Sequence, residues 1–283
     1  MQRRTGQRGG VMWMGGAAAW ALAALVGVGA GCTDLKPGAT SVLDLFNTGP
    51  SPQEAAEWAV DKYDPDKRYR GTLVLSNAYF GSEPLYVELY VKNASDPDPG
   101  VRAVAIRALG NHGGPEHVPL ILKGLSETDR NLRLEATRAL QRIHEPTVVG
   151  TLIERLDQAN ESDAEVRAEA ATALGQYAEN RVVEALISAM EDSSLAVNRA
   201  ALNSLRVLTG QDFGFDMRAW IDWDKSTRDR FAARGTYQYP VFQRDETFLE
   251  TVIPFLPRPP NEPASSPVGM PPVNPTPGSA SPR

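Results

Sequence analysis

Cysteine is almost absent from this chain of 283 residues, since Cys32 is its only example. The chain therefore cannot form an internal disulfide, and no pair of thiolates is available to bind a metal. Residues after Cys32 also contain no cysteine nucleophile. Stability must come from packing, for which a helical stack of roughly 150–190 residues is long enough.

Histidine is scarce as well, with only His112, His117 and His144. His112 and His117 are separated by Gly113-Gly114-Pro115, a turn, so they do not share a helix face as a metal-binding pair would. No His-Glu-x-x-His, glycine-rich phosphate loop or Gly-x-Ser-x-Gly elbow occurs. We therefore predict no catalytic, cofactor-binding or metal-binding residues, no cofactor and no enzymatic activity.

Positive charge is also in short supply. The formal net charge is −6, and removal of a leader containing Arg3, Arg4 and Arg8 changes it to −9. Nucleic-acid binding requires a basic face that neutralises phosphates, so an acidic body argues against it. A polybasic membrane-binding patch is missing for the same reason.

One short pattern occurs four times. Its copies start at Val101-Arg102, Leu132-Arg133, Val166-Arg167 and Val197-Asn198, at spacings of 31, 34 and 31 residues. An alanine follows four residues after each start and a leucine eight residues after it: Ala105, Ala136, Ala170 and Ala201, then Leu109, Leu140, Leu174 and Leu205. These positions share one face of a helix. A unit of this length cannot bury its apolar face alone, so the copies are predicted to stack.

Each copy has a predicted helix N-cap three residues before its start: Asp98, Asp129, Asp163 and Ser194. A second apolar run with helical spacing follows the first helix in three copies. We therefore predict that each copy is a pair of helices, the first helix packing on the second.

The two ends of the array differ from its middle, as expected for terminal repeats. A fainter copy, with Asp64, Arg68, Gly71 and Leu75, lies 34 residues before the first clear one. The last copy is predicted to lack an ordinary second helix. Trp220, Ile221 and Trp223 then supply a closing cap.

The Asp-x-x-Val-Arg-x-x-Ala-x-x-x-Leu-Gly strings at 98–110 and 163–175 resemble HEAT repeats, specifically the short type of the phycobilisome lyases. The resemblance covers roughly residues 62–210. It implies an all-α, right-handed solenoid of about four to five antiparallel helix pairs. Proteins with this repeat include scaffolds, adaptors and a few enzymes, so the resemblance implies little about activity.

The first 32 residues resemble a bacterial lipoprotein signal. A basic start is followed by an apolar or glycine stretch from Val11 to Val28, and Gly-Ala-Gly-Cys occupies 29–32. We predict lipidation of Cys32, although Gly29 stands where such signals usually carry an aliphatic residue. Simple cleavage and release, or an uncleaved anchor, are the alternatives. Thr33, in place of aspartate, favours the outer membrane, on its periplasmic side.

The predicted organisation is a signal peptide at 1–31, a tether at 32–51, the solenoid at 52–210, an aromatic cap with an irregular segment at 211–256, and a proline-rich tail at 257–283. Ten of the 27 tail residues are proline. Such a tail cannot bury enough apolar surface to fold and is predicted to be mobile. The alternative is that it binds an aromatic-lined groove.

Two sets of residues are candidates for an interaction surface. Arg102, Arg133 and Arg167 form a column that would suit an acidic peptide, whereas the alternative pairs each arginine with a capping acid of its own or the next repeat. Trp220 and Trp223 belong to a larger aromatic set, with Phe213, Phe215, Phe231, Tyr237, Tyr239 and Phe242. This set is either a cap or a binding patch.

These observations lead to the hypothesis of a lipid-anchored, non-catalytic scaffold or assembly factor of the bacterial cell envelope that binds a protein partner. Two alternatives remain open: a lyase-type enzyme or enzyme activator with the same repeat, and a passive envelope protein that self-associates. A deep cleft with perturbed titratable groups would indicate the enzyme. The oligomeric state would identify the self-associating protein.

Overall fold

The computed structural model describes residues 50–241, residue 251 and residues 264–271. Within these residues the regular secondary structure consists of eleven α-helices and two short 3-10 turns, Pro115–His117 and Pro146–Val148. The helices are α1 (Pro52–Ala59), α2 (Pro65–Ser76), α3 (Pro84–Asn93), α4 (Pro99–His112), α5 (Val118–Leu125), α6 (Arg130–Arg142), α7 (Val149–Leu156), α8 (Ala164–Leu174), α9 (Asn180–Ala189), α10 (Leu195–Thr209) and α11 (Met217–Ser226). The predicted all-α solenoid is confirmed.

The predicted caps stand directly before the long helices of the repeat. The carboxylate of Asp98 accepts a hydrogen bond from the Val101 amide at 3.0 Å, and that of Asp129 accepts one from the Leu132 amide at 2.9 Å. Asp64 and Asp163 cap α2 and α8 in the same way. Ser194 occupies the N-cap position of α10, but its side chain makes no capping hydrogen bond. Four of these helices therefore begin with an acid that satisfies first-turn amides.

Each long helix was predicted to pair with the short helix that follows it, but it pairs with the short helix that precedes it. Short α5 packs on the following long helix α6 and contacts the preceding α4 little, and α7 likewise packs on α8. The five hairpins are α1–α2, α3–α4, α5–α6, α7–α8 and α9–α10. The next helix, α11, packs on α9 instead of pairing with α10, which agrees with the prediction that the last copy lacks an ordinary second helix. A period of 31 to 34 residues is the same whichever helix is taken as first, so the period alone could not identify the packing partner.

The long helices α2, α4, α6, α8 and α10 form one layer, each packed on the next. All four alanines and all four leucines of the repeat columns are fully buried there. Gly110 of α4 brings the chain especially close to α6, because a Cβ atom added to it would lie 2.7 Å from the Cα of Ala139. Small residues at these positions allow the close helix approach that the sequence pattern predicted.

The fainter N-terminal copy is the hairpin α1–α2. Gly71 of α2 is buried against the backbone of Ala55 and Ala59 in α1, where a Cβ atom would overlap with α1. Leu75, the counterpart of Leu109, is fully buried. The first hairpin therefore continues the same core.

The far end of the array is closed by α11, which packs on α9. Gly210 ends α10 with a φ of 67°, a left-handed conformation that glycine adopts without strain. After α11 the chain turns back along the repeats. Gly235 donates a backbone hydrogen bond of 2.7 Å to the carbonyl of Val207 in α10.

Residues 264–271 belong to the segment that was predicted to be a mobile tail, and they differ from that prediction. The Val268 amide donates to the Arg142 carbonyl, and the Val268 carbonyl accepts from the His144 amide, both at 2.8 Å. Pro267 is buried. These contacts with the ends of the repeats hold the eight residues in place, a tertiary effect that composition does not reveal. The rest of the predicted tail, the signal peptide and most of the tether lie outside the described residues.

Candidate interaction surfaces

An arginine near the start of each of four long helices forms an ion pair with the loop of the next hairpin. Arg68 pairs with Asp96, Arg102 with Glu127, Arg133 with Glu161 and Arg167 with Asp192. Arg167 is representative: its Nε and Nη2 atoms donate to the two carboxylate oxygens of Asp192 at 2.8 and 2.9 Å. We call these four pairs the arginine ladder.

Each ladder arginine also binds the loop that precedes its own helix. Nη1 of Arg167 donates to the carbonyls of Glu161 and Ser162 at 2.9 and 3.0 Å, and Nη1 of Arg133 donates to those of Glu127 and Thr128. One guanidinium therefore links two successive interhelical loops. Such bidentate, charge-assisted contacts fix both distance and orientation.

The paired acid is not the predicted one. Asp96, Glu127, Glu161 and Asp192 each stand two residues before an N-cap residue, and the capping carboxylates of Asp98, Asp129 and Asp163 serve helix amides instead. The fourth copy has Asn198 at the arginine position, and within the described residues no further hairpin follows α10 to supply an acid. A column of acids two residues before the caps was visible in the sequence and would have identified the partners.

Burial differs among the four pairs of the arginine ladder and is least for Arg102–Glu127. The side chain of Arg102 is 20% exposed and that of Glu127 37%, whereas those of Arg167 and Asp192 are 3% and 4% exposed. Burial alone would raise the pKa of Asp192, but hydrogen bonds from Arg167 and from the Ser194 amide outweigh it and lower that pKa. Burial of Glu161 is outweighed in the same way by Arg133, so the pKa of Glu161 is also lowered. An acidic ligand would have to displace these internal carboxylates.

The aromatic candidates separate into two groups. Trp220 is fully buried, its Nε1 donates to the Gly214 carbonyl at 2.9 Å, and its ring meets those of Phe213 and Trp223 edge to face. Trp223 is half-buried, and Phe215 is 55% exposed. Trp220 is therefore a core residue of the cap.

Tyr237 and Tyr239 lie elsewhere, along the ends of the long helices. Tyr237 is buried, and burial raises its pKa. The Arg142 guanidinium stacks on the Tyr239 ring at 5.0 Å from the ring centre. Phe242 lies outside the described residues.

The three histidines sit at the carboxyl ends of the long helices, in the turns to the short ones. His112 Nε2 is 2.6 Å from the Ser76 carbonyl, and Nδ1 of His117 accepts from the Gly114 amide at 3.0 Å. His144 stacks on Tyr177 and contacts the Gln176 side chain at 3.1 Å. Within residues 50–241, 251 and 264–271, no three His, Cys, Asp or Glu side chains are grouped to hold a metal ion.

A groove of about 380 Å³ lies between the long helices and the returning C-terminal segment. Its walls come from α4, α6 and α8, and its rim from the returning C-terminal segment: Arg107, Asn111, Glu135, Arg138, Ala139, Gln141, Arg142, Glu169, Pro240 and Val241. Three arginines and two glutamates line it, so the groove is locally basic in an acidic chain. We call it the long-helix groove.

The charges of this groove are only partly satisfied by one another. Arg138 binds Glu135 at 3.3 Å and Glu169 at 3.0 Å, and its side chain remains 40% exposed. Arg107 is exposed and makes no ion pair or hydrogen bond within the described part of the chain. Among the residues that the structure describes, Arg107 is therefore the cation of the groove that has no partner.

This groove was not predicted from the sequence. Two of its three arginines, Arg107 and Arg138, occupy the sixth position after a repeat start, where the other two copies have Thr172 and Asn203. That column lies on the helix face opposite the buried positions. A polar column in phase with the apolar ones was the available signal.

Comparison with known proteins agrees with this architecture. Residues 87–163 and 155–213 match the profile of HEAT repeats. No curated protein matches the chain in sequence.

Similar solved structures include an engineered protein, with 22% identity over 56% of this chain and 78% of that one, at a TM-score of 0.43. A designed armadillo repeat protein in complex with the peptide (KR)4 has 18% identity over 63% of this chain and 89% of that one, at a TM-score of 0.45. The complex of CpcE and CpcF of phycocyanin lyase from Nostoc sp. PCC7120 has 16% identity over 62% and 97%, at a TM-score of 0.28. At these values none of them bears on function. The match to the repeat profile and the stacked hairpins agree: residues 87–213 of the chain are HEAT repeats.

Proposed function

We propose that this protein is a lipid-anchored scaffold or assembly factor of the bacterial cell envelope, which holds a partner protein in the long-helix groove and catalyses no reaction itself. A HEAT-repeat solenoid is suited to protein–protein interaction because its stacked helices present a long continuous surface. The observation that carries the proposal is the groove with Arg107, whose charge is unpaired within the described residues.

The chemistry of the groove supports a protein ligand. It is open and lined by long polar side chains from three helices, so it would bind an extended segment through several modest contacts. The exposed charge of Arg107 and the partly exposed charge of Arg138 would meet acidic groups of that partner. The ladder arginines, already paired, would maintain the spacing of the hairpins.

Membrane attachment in this proposal depends on Cys32, which lies outside the described residues. None of the described helices is long and apolar enough to cross a membrane. The lipobox-like Gly-Ala-Gly-Cys at 29–32 supports attachment through a lipid. We place the protein on the periplasmic side of the outer membrane.

Charge reversal tests the groove. Arg107→Glu should abolish crosslinking to the partner in envelope fractions, since it puts an acid where an acidic partner would bind. Lys123→Glu is the matched control: Lys123 is exposed and unpaired within the described residues, but it belongs to short helix α5. Equal crosslinking by wild type and both variants would refute the assignment of this surface.

A separate experiment tests the anchor. A clickable fatty acid should label the wild type and fail to label Cys32→Ser, because the thioether is the attachment point of the lipid. Unchanged labelling of the variant would refute lipidation at this residue and leave the groove unaffected.

Self-association is the second candidate function, and exposed apolar side chains of the first hairpin favour it. Val60 is 48% exposed, Tyr63 93% and Tyr69 41%. Two copies could bury these side chains against each other. Light scattering on a size-exclusion column tests this, since a mass that stays monomeric as concentration rises would exclude it.

A further inference from the structure

Three aromatic rings, of Tyr79, Phe80 and Tyr86, contact one another where the loop after α2 meets the start of α3, and the exposed Leu85 is next to Tyr86 in sequence. The Tyr79 and Phe80 ring centres are 5.0 Å apart, and those of Phe80 and Tyr86 are 5.4 Å apart. Tyr79 is 97% exposed and Leu85 70%. Phe80 packs against the core and holds the cluster in place. We call these four residues the aromatic patch.

The aromatic patch lies next to a row of interhelical loops that are contacted by the C-terminal part of the chain. Residues 234–241 and 264–271, here called the C-terminal strap, contact the carboxyl ends of successive long helices. The Arg234–Gly235 turn binds the carbonyls of Gln176 and Val207, and Val268 pairs with the chain around Ile143. Gly269 then reaches the next loop, since a Cβ atom on it would be 3.0 Å from Pro115. The strap thus passes from the last repeats toward the first ones.

The loop that carries the patch is the next one in this row. Its Ser76 carbonyl is 2.6 Å from Nε2 of His112, three residues before Pro115. Gly81 is adjacent to the same histidine nitrogen. The described part of the strap therefore stops one loop short of the aromatic patch.

The residues after 271 are long enough to reach the aromatic patch and have side chains suited to bind it. Packed helices are about 8–10 Å apart and an extended chain advances about 3 Å per residue, so three or four residues span the gap. Residues 272–277 read Pro-Val-Asn-Pro-Thr-Pro. Proline-rich segments bind exposed aromatic rings at little cost in entropy. We propose that the aromatic patch is the docking site for residues 272–277 of the same chain.

The docking of the preceding residues favours this segment of the same chain over a separate protein. The preceding residues are already docked, with Pro267 buried and Val268 hydrogen-bonded on both sides. This places the following prolines near the patch at a high effective concentration. A free proline-rich peptide would have to displace them.

Photocrosslinking in the full-length chain tests the proposal. Tyr79→benzoylphenylalanine should crosslink to residues 272–277, identified by mass spectrometry. The matched control is Tyr63→benzoylphenylalanine, since Tyr63 is 93% exposed but lies beside Asp64, at the amino end of α2. The control should give no such product. Replacing Pro272 and Pro275 by glycine should lower the yield at position 79 about fivefold, since the docked segment loses its rigid contacts.

A mixture of heavy- and light-isotope protein distinguishes the sources. Products in which both peptides carry the same label show docking within one chain. Mixed-label products would show that a second copy occupies the patch, and crosslinks to other proteins only would show an external partner. Either result, or equal yields at positions 79 and 63, would overturn the proposal.

Discussion

Truncating the most exposed and the most buried arginine of the arginine ladder, Arg102 and Arg167, should have very different effects on stability. Arg167→Ala leaves the carboxylate of Asp192, whose side chain is 4% exposed, without its counter-charge. Removing one member of a buried pair costs about 3–5 kcal/mol of unfolding free energy. Arg102→Ala is the matched change at a more solvent-exposed pair, because Glu127 is 37% exposed and contacts Arg102 once, at 3.3 Å. There the loss should be about 1 kcal/mol.

Urea unfolding followed by the helical circular-dichroism signal measures both losses. The midpoint should fall much further for Arg167→Ala, with similar slopes for both variants. Adding Asp192→Asn to Arg167→Ala should restore part of the loss, since it removes the uncompensated charge. Equal losses for the two arginines, or no recovery in the double variant, would refute the argument from burial.

The remaining predictions concern pH, helix contact and the cap. The pKa values of Asp192 and Glu161 are lowered in the folded protein from the ordinary values of 3.8 for Asp and 4.5 for Glu. The two carboxylates therefore stabilise the fold fully at a pH well above these ordinary values, and this stabilisation is lost as the pH falls through the lowered values. Urea midpoints that do not fall on acidification would contradict this. Gly110→Ala should destabilise the protein by about 1–3 kcal/mol because the new Cβ atom would overlap with α6. Gly150→Ala in α7 should stabilise it by about 0.5–1 kcal/mol, because a Cβ atom there would have no atom within 4 Å. Melting temperatures that shift in the same direction for both variants would refute the argument from helix contact. Trp220→Ala should cost about 3–5 kcal/mol, and a melting temperature unchanged from wild type would show that the cap contributes little.

The repeat columns of the sequence were sufficient to predict the helical layers. Ala105 and Leu109 with their equivalents are fully buried, as their spacing predicted, and the acids before the helices cap them. Local patterns of this kind depend only on residues three or four apart along one helix. They are therefore readable in a single sequence.

The candidate surfaces were harder to predict because they depend on residues far apart in the chain. Arg167 meets Asp192 across 25 residues, and Arg142 meets Tyr239 across nearly a hundred. Both contacts depend on which hairpins are neighbours and on where the chain returns. The polar column of Arg107 and Arg138 was visible, but nothing local distinguishes a groove wall from an ordinary solvated helix face.

The C-terminal strap also changes how this array should unravel. In a simple repeat array each unit contacts only its neighbours, so unfolding can begin at either end and spread one step at a time. Here residues 234–241 and 264–269 touch α10, the turn after α8, the end of α6 and Pro115. Unfolding of the terminal hairpin α9–α10 would therefore also weaken the strap's contacts with the end of α6, two hairpins away. The protein should therefore resist fraying from that end and lose its repeats together.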